Sequence, residues 1–255
     1  MPYKDLPECL VLEFVGTLCL VVFAASTGVA SYLIPGMNPY KEQVFIATTV
    51  GLVVGVATFL YGKISGAHIN SSVSLAHAVA GLMPRKMFFP YLVVQILAGV
   101  VAGPILYLAF HTLNSPTHFG STKIQDGATP FTGTVLEIIG TLLLTLATLV
   151  SSSSLKGKPA RQAILCGFTI FILTIIIGPF SGASFNPSRS LGPAIASQLF
   201  KNQIVFWVGP WAGAIVAGLI FAARKKYSEL GSKETKKKQE IDRGSRKEVR
   251  IPKNR

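Results

Sequence analysis

The sequence predicts an all-α integral membrane protein: six transmembrane helices plus two re-entrant half-helices, arranged as inverted repeats. Three observations predict it. Half of the 255 residues are hydrophobic and only 14% are charged, which leaves too little polar surface for a soluble domain of that length. The charges are also segregated, so that residues 10–31 and 133–150 each hold a single Glu and no Lys or Arg. Finally, one short stretch occurs twice, as Gly66-Ala67-His68-Ile69-Asn70-Ser71-Ser72 and as Gly182-Ala183-Ser184-Phe185-Asn186-Pro187-Ser188.

Taken in order, the apolar runs at 10–31, 44–61, 89–110, 134–150, 163–177 and 205–223 are each long enough to span, with some extension, a hydrocarbon core of about 30 Å. The first is too long for a signal-peptide core and reads as a retained helix. Lys63, Arg85 and Lys86 fall in the second connection and Lys156, Lys158 and Arg161 in the fourth. The positive-inside rule then puts both termini in the cytoplasm of a membrane the pattern does not name. The net charge of +13 invites a nucleic-acid reading, but 13 of the 24 basic residues lie between Arg224 and Arg255, where the same rule accounts for them; no nucleic-acid partner is expected. Residues 225–255 read as a basic, disordered cytoplasmic tail, whose cluster at 236–238 suits anionic lipid. Glycine pairs Gly51/Gly55, Gly99/Gly103 and Gly209/Gly213 predict close helix contacts. Cys9, Cys19 and Cys166 give no disulfide framework.

The repeat extends beyond the short stretch. Glu13-Phe14-Val15-Gly16-Thr17-Leu18 is echoed by Glu137-Ile138-Ile139-Gly140-Thr141-Leu142. Each half holds three spans, an odd number, so the second half sits inverted and the pathway lies near the midplane. Asn70 and Asn186 stand where an N-cap belongs, and Pro187 suits a first helical position. The runs 71–80 and 187–196 are about 15 Å long as helices, half a membrane. Irregular backbone at that depth is tolerated only where it lines a cavity or is buried in protein. Two such loops meeting midway imply a pore.

These residues resemble the aquaporin, or major intrinsic protein, family, whose pattern is two Asn-Pro-Ala motifs on half-helices, a Glu early in the first and fourth spans, and an Arg after the second motif. The likeness runs from about Leu6 to Lys226. It implies a channel domain over 10–224, with repeats at about 10–112 and 134–224, behind a cytoplasmic segment 1–9. It further implies a passive pore for water and small neutral solutes in the bilayer, closed to protons and ions, in a homotetramer, with no cofactor, metal or catalytic residue. Asn70, Ser71 and Ser72 with Asn186, Pro187 and Ser188 would form the pore motifs, the Asn side chains donating into the lumen. Carbonyls of Gly66, Ala67 and His68 and of Gly182, Ala183 and Ser184 would form an acceptor ladder, and Glu13 and Glu137 would support the loops. The family's narrow filter falls on Val50, Thr174, Ala183 and Arg189. Water-strict members carry a large aromatic and a His at the first two. Val and Thr make this opening wider, favouring glycerol, urea, ammonia, hydrogen peroxide or metalloid hydroxides beside water. Ser71 departs from the pattern by lacking the ring that fixes φ.

Other readings are weaker. Asn70-Ser71-Ser72 is also a glycosylation sequon, unreachable in a re-entrant loop. His68 and His77 read as packing residues, with no second metal ligand at a helical spacing. Glu13 and Glu137 would suit a proton- or ion-coupled transporter, the principal alternative. No hydrolase elbow or His-Glu-x-x-His motif is present, so no enzyme is expected.

Overall fold

The computed structural model describes residues 3–113 and 117–248, with backbone alone beyond 228. Its helices are α1 (Leu6–Tyr32), α2 (Pro39–Tyr61), α3 (Ser71–Val79), α4 (Arg85–Phe110), α5 (Pro130–Ser154), α6 (Pro159–Ser181), α7 (Pro187–Ser197) and α8 (Val205–Glu248). Six have the length and apolarity to cross a membrane, α8 through its Val205–Ser228 portion, while α3 and α7 do not. No strand occurs among the described residues.

The chain starts four of these helices on a proline, Pro39, Pro130, Pro159 and Pro187, where the missing N–H is one the helix would leave unpaired anyway. The residue before supplies the cap in three: Asn38 accepts from the Lys41 N–H at 2.9 Å, Thr129 from Thr132 at 3.1 Å and Asn186 from Ser188 at 3.1 Å.

All three glycine pairs lie at contacts. Gly51 faces the Gly167 carbonyl of α6, Gly99 faces Ser188 of α7, and Gly209 faces Glu137 of α5. A side chain at Gly51, Gly99 or Gly209 would hold two helices apart, so close approach at these three depends on glycine. The outer surface carries large exposed apolar side chains such as Leu52, Phe89, Leu108, Phe131 and Ile164, whereas Glu13, Gln95, Asn70, Glu137, Asn186 and Arg189 are buried. Polar groups inside and apolar groups outside is the distribution a lipid solvent requires.

Chain order places the start of α1 and the ends of α2 and α5 at one face of the bundle, hereafter the N-terminal face. There Tyr3 docks against the loop before α3, its N–H donating to the Ile64 carbonyl at 2.8 Å and its Oη lying 3.0 Å from His68 Nε2. Burial, then the nearby Glu13, pushes the Tyr3 phenol above its usual range, so it stays protonated.

The expectation of a disordered tail is corrected: α8 runs unbroken to Glu248. Lys, Arg and Glu are good helix formers. Residues 249–255, and the side chains of the 236–238 cluster, lie outside the described set.

Candidate functional site

The loops entering α3 and α7 have one backbone shape. Gly66, Ala67 and Ile69 have φ of +95°, +49° and +43°, and Gly182, Ala183 and Phe185 have +80°, +50° and +53°. For the four non-glycine residues this conformation costs about 1–3 kcal/mol each, so something must hold it.

Two buried carboxylates do so. Glu13 Oε1 accepts from the Ser65 hydroxyl at 2.8 Å and the His68 N–H at 2.9 Å, and its Oε2 accepts from the Ile69 N–H at 2.6 Å and Gln95 Nε2 at 2.9 Å. Glu137 repeats the arrangement: Oε1 accepts from the Ser181 hydroxyl at 2.6 Å and the Ser184 N–H at 2.9 Å, Oε2 from the Phe185 N–H at 2.8 Å. A carboxylate is the side chain that accepts on both oxygens and donates from neither.

With the N–H groups turned to the carboxylates, the carbonyls turn away. Among the described residues, none of the carbonyls of Gly66, Ala67, His68, Gly182, Ala183 and Ser184 accepts a protein hydrogen bond. Unpaired carbonyls inside a membrane protein need water or a polar guest.

The two Asn residues tie the loops together crosswise. Asn70 Oδ1 caps α3 through the Ser72 N–H at 2.8 Å while its Nδ2 donates to the Phe185 carbonyl at 2.9 Å. Asn186 caps α7 and donates from Nδ2 to the Ile69 carbonyl at 3.0 Å. One N–H of each amide is thus spent on the opposite loop, and the other makes no protein hydrogen bond among the described residues.

Two cavities approach this meeting point. The first, about 870 Å³, is walled by Ile46, Gly178, Gly182 and Arg189; the second, about 510 Å³, on the N-terminal face, is walled by Val54, His68, Asn70 and Ile170. Val50 belongs to neither wall but sits on α2 between Ile46 and Val54, as Thr174 sits on α6 between Ile170 and Gly178. Val50 and Ala183 share one buried apolar cluster with Leu173. Arg189 is 6% exposed, and its Nη1 donates to the Gly120 carbonyl at 2.9 Å.

The sequence profile described as Major intrinsic protein matches residues 4–221. The chain belongs to the major intrinsic protein family. It is 32% identical to Aquaporin NIP3-1 of Arabidopsis thaliana over 87% of this chain and 70% of that one, and 35% identical to Aquaporin TIP2-3 of Zea mays over 83% and 85%. The X-ray structure of the aquaglyceroporin from Plasmodium falciparum shares the fold, with a TM-score of 0.73 at 24% identity, over 86% of this chain and 95% of that one. This major intrinsic protein is a channel for water and small solutes.

Several residues of the channel's site escape a sequence reading. Ser65 and Ser181 immediately precede the repeated stretches and share their spacing, a signal legible one residue further upstream. Gly120 sits in a one-turn 3₁₀ segment, His118–Gly120, that nothing local marks as a partner of Arg189. Gln43, on α2, donates to the Thr174 carbonyl at 2.6 Å and occupies the space a side chain at Gly178 would fill.

Proposed function

We propose that this chain conducts water together with small neutral solutes, of the class of glycerol, urea, ammonia, hydrogen peroxide or metalloid hydroxides, and excludes protons and ions. The observation that supports it is that the carbonyls at 66–68 and 182–184 accept no protein hydrogen bond among the described residues, in the two loops whose Asn tips bond crosswise. A guest that gives its hydrogens to carbonyls and takes a hydrogen bond from each Asn is held with its donors pointing away from the midplane, which interrupts a proton relay. The positive ends of α3 and α7 and the guanidinium of Arg189 oppose cations.

Val50, Thr174, Ala183 and Arg189 form the filter in this reading. Three small or medium side chains leave room for a molecule larger than water, and Thr174 Oγ1, which makes no hydrogen bond among the described residues, leaves a hydroxyl for such a guest. The channel domain runs over 10–224, both termini lie in the cytoplasm, the assembly is a homotetramer, and no catalytic step is involved. The exposed apolar helix faces support embedding in lipid or against further copies.

The test is stopped-flow flux in one proteoliposome preparation. Water, glycerol and urea should all pass without saturation at moderate concentration, insensitive to pH gradient and voltage. Val50→Phe with Thr174→His should cut glycerol flux at least tenfold more than water flux. A wild type that passes water but none of the solutes overturns the wide filter, and concentrative uptake overturns the passive pore.

A further inference from the structure

The two half-helices are anchored from outside by matching helices, and the match isolates one difference. A side chain at Gly103 of α4 would meet Ile195 and the Gly192 carbonyl of α7; one at Gly218 of α8 would meet Val79 and the Ala76 carbonyl of α3. Ala76 and Val79 stand at the same distances beyond Asn70 as Gly192 and Ile195 beyond Asn186. The two contacts are therefore equivalent by the internal repeat. Two turns upstream of these glycines stand Ile96 and Trp211. The Ile96 side chain has no donor. Trp211 has one, and its Nε1 donates to the Ser71 hydroxyl at 3.4 Å.

Ser71 is also where the halves differ in the motif itself. It is the first residue of α3, fully buried, where α7 begins with Pro187. A proline there has φ preset for the helix and no side-chain donor or acceptor. A serine has neither advantage. Its hydroxyl can turn back on nearby backbone groups and compete with the cap, here the Asn70 Oδ1 that holds the Ser72 N–H. A donor arriving from α8 occupies that hydroxyl and ties the start of α3 to a membrane-spanning helix. Trp207 packs edge-on against the Trp211 ring, centroids 5.4 Å apart at 84°, which fixes the indole's orientation.

We propose that Trp211 is a positioning residue for the first pore motif: its hydrogen bond to Ser71 does in the first half what the Pro187 ring does in the second. The consequence falls on Asn70, whose crosswise bond to Phe185 depends on where α3 begins. The Ser at 71 and the Trp at 211 are then one device in two parts.

The test is a mutant cycle read by water permeability per inserted channel. Trp211→Phe and Ser71→Ala should each lower permeability about twofold, as fits a single long hydrogen bond, and the double variant should be no worse than either single. In a Ser71→Pro background, Trp211→Phe should cost almost nothing. Equal losses with and without the proline, or additive losses in the alanine cycle, overturn the proposal, because they mean that Trp211 acts by packing alone. A second readout uses no flux at all. The chain has two tryptophans, so Trp207→Phe leaves Trp211 as the sole indole, and Ser71→Ala in that background should shift its emission to shorter wavelength. Unchanged emission overturns the hydrogen bond itself, and it can be measured even where the proline variant fails to fold.

Discussion

At the scale of single residues, Glu137 shows how a costly group becomes a fixture. It is fully buried among helices, yet three donors converge on its two oxygens. Glu137→Gln preserves shape but replaces one acceptor oxygen with an NH₂ that faces donors. Each donor left unpaired costs about 1–3 kcal/mol, and the left-handed residues Ala183 and Phe185 lose what holds them. A lower unfolding temperature in detergent and reduced water flux are expected; an unchanged midpoint would mean the loop is held by other contacts. The sequence makes the choice of a carboxylate readable, since an acid in an apolar span must find partners. Which N–H groups it finds is not readable, because Ser184 and Phe185 approach Glu137 only once α6 has turned at Gly182.

Helices pack here at a resolution of one methyl group. Added to Gly99 of α4, a Cβ would stand 2.8 Å from the Ser188 carbonyl of α7, backbone that cannot step aside. At Gly55 of α2 the nearest atom, the Ala163 carbonyl, is 3.4 Å away. Helix propensity favours alanine at both by up to about 1 kcal/mol, so the contacts decide the difference. Gly99→Ala should destabilise by about 1–3 kcal/mol and, by shifting α7, lower water flux; Gly55→Ala should be near neutral. Thermal unfolding of the two side by side checks this, and equal effects would show that α4 and α7 have slack. The glycine pairs were visible in the sequence, but their partners were not. Gly51 and Gly99 carry the same spacing, and one meets a membrane span while the other meets a half-helix.

The whole molecule is two halves closed on each other by matched crosswise bonds, Asn70 to the Phe185 carbonyl at 2.9 Å and Asn186 to the Ile69 carbonyl at 3.0 Å. Asn70→Asp and Asn186→Asp each keep the cap acceptor and remove the crosswise donor, setting a carboxylate against a carbonyl. Because the geometry is matched, the two should lose water permeability and thermal stability by similar amounts. A large loss in one and none in the other would show that a single half carries the junction. The sequence by itself determined the six spans, the two half-length helices, their inversion and the placing of amides at their tips, because hydrophobic length, capping chemistry and a repeat with an odd number of spans are local or periodic properties of a chain in lipid. Only the tertiary structure decided which carbonyls stay unpaired, which backbone oxygen receives Arg189, and that the Trp211 indole reaches the Ser71 hydroxyl. Those depend on groups far apart in sequence arriving within a hydrogen bond's reach, and no local pattern carries that information.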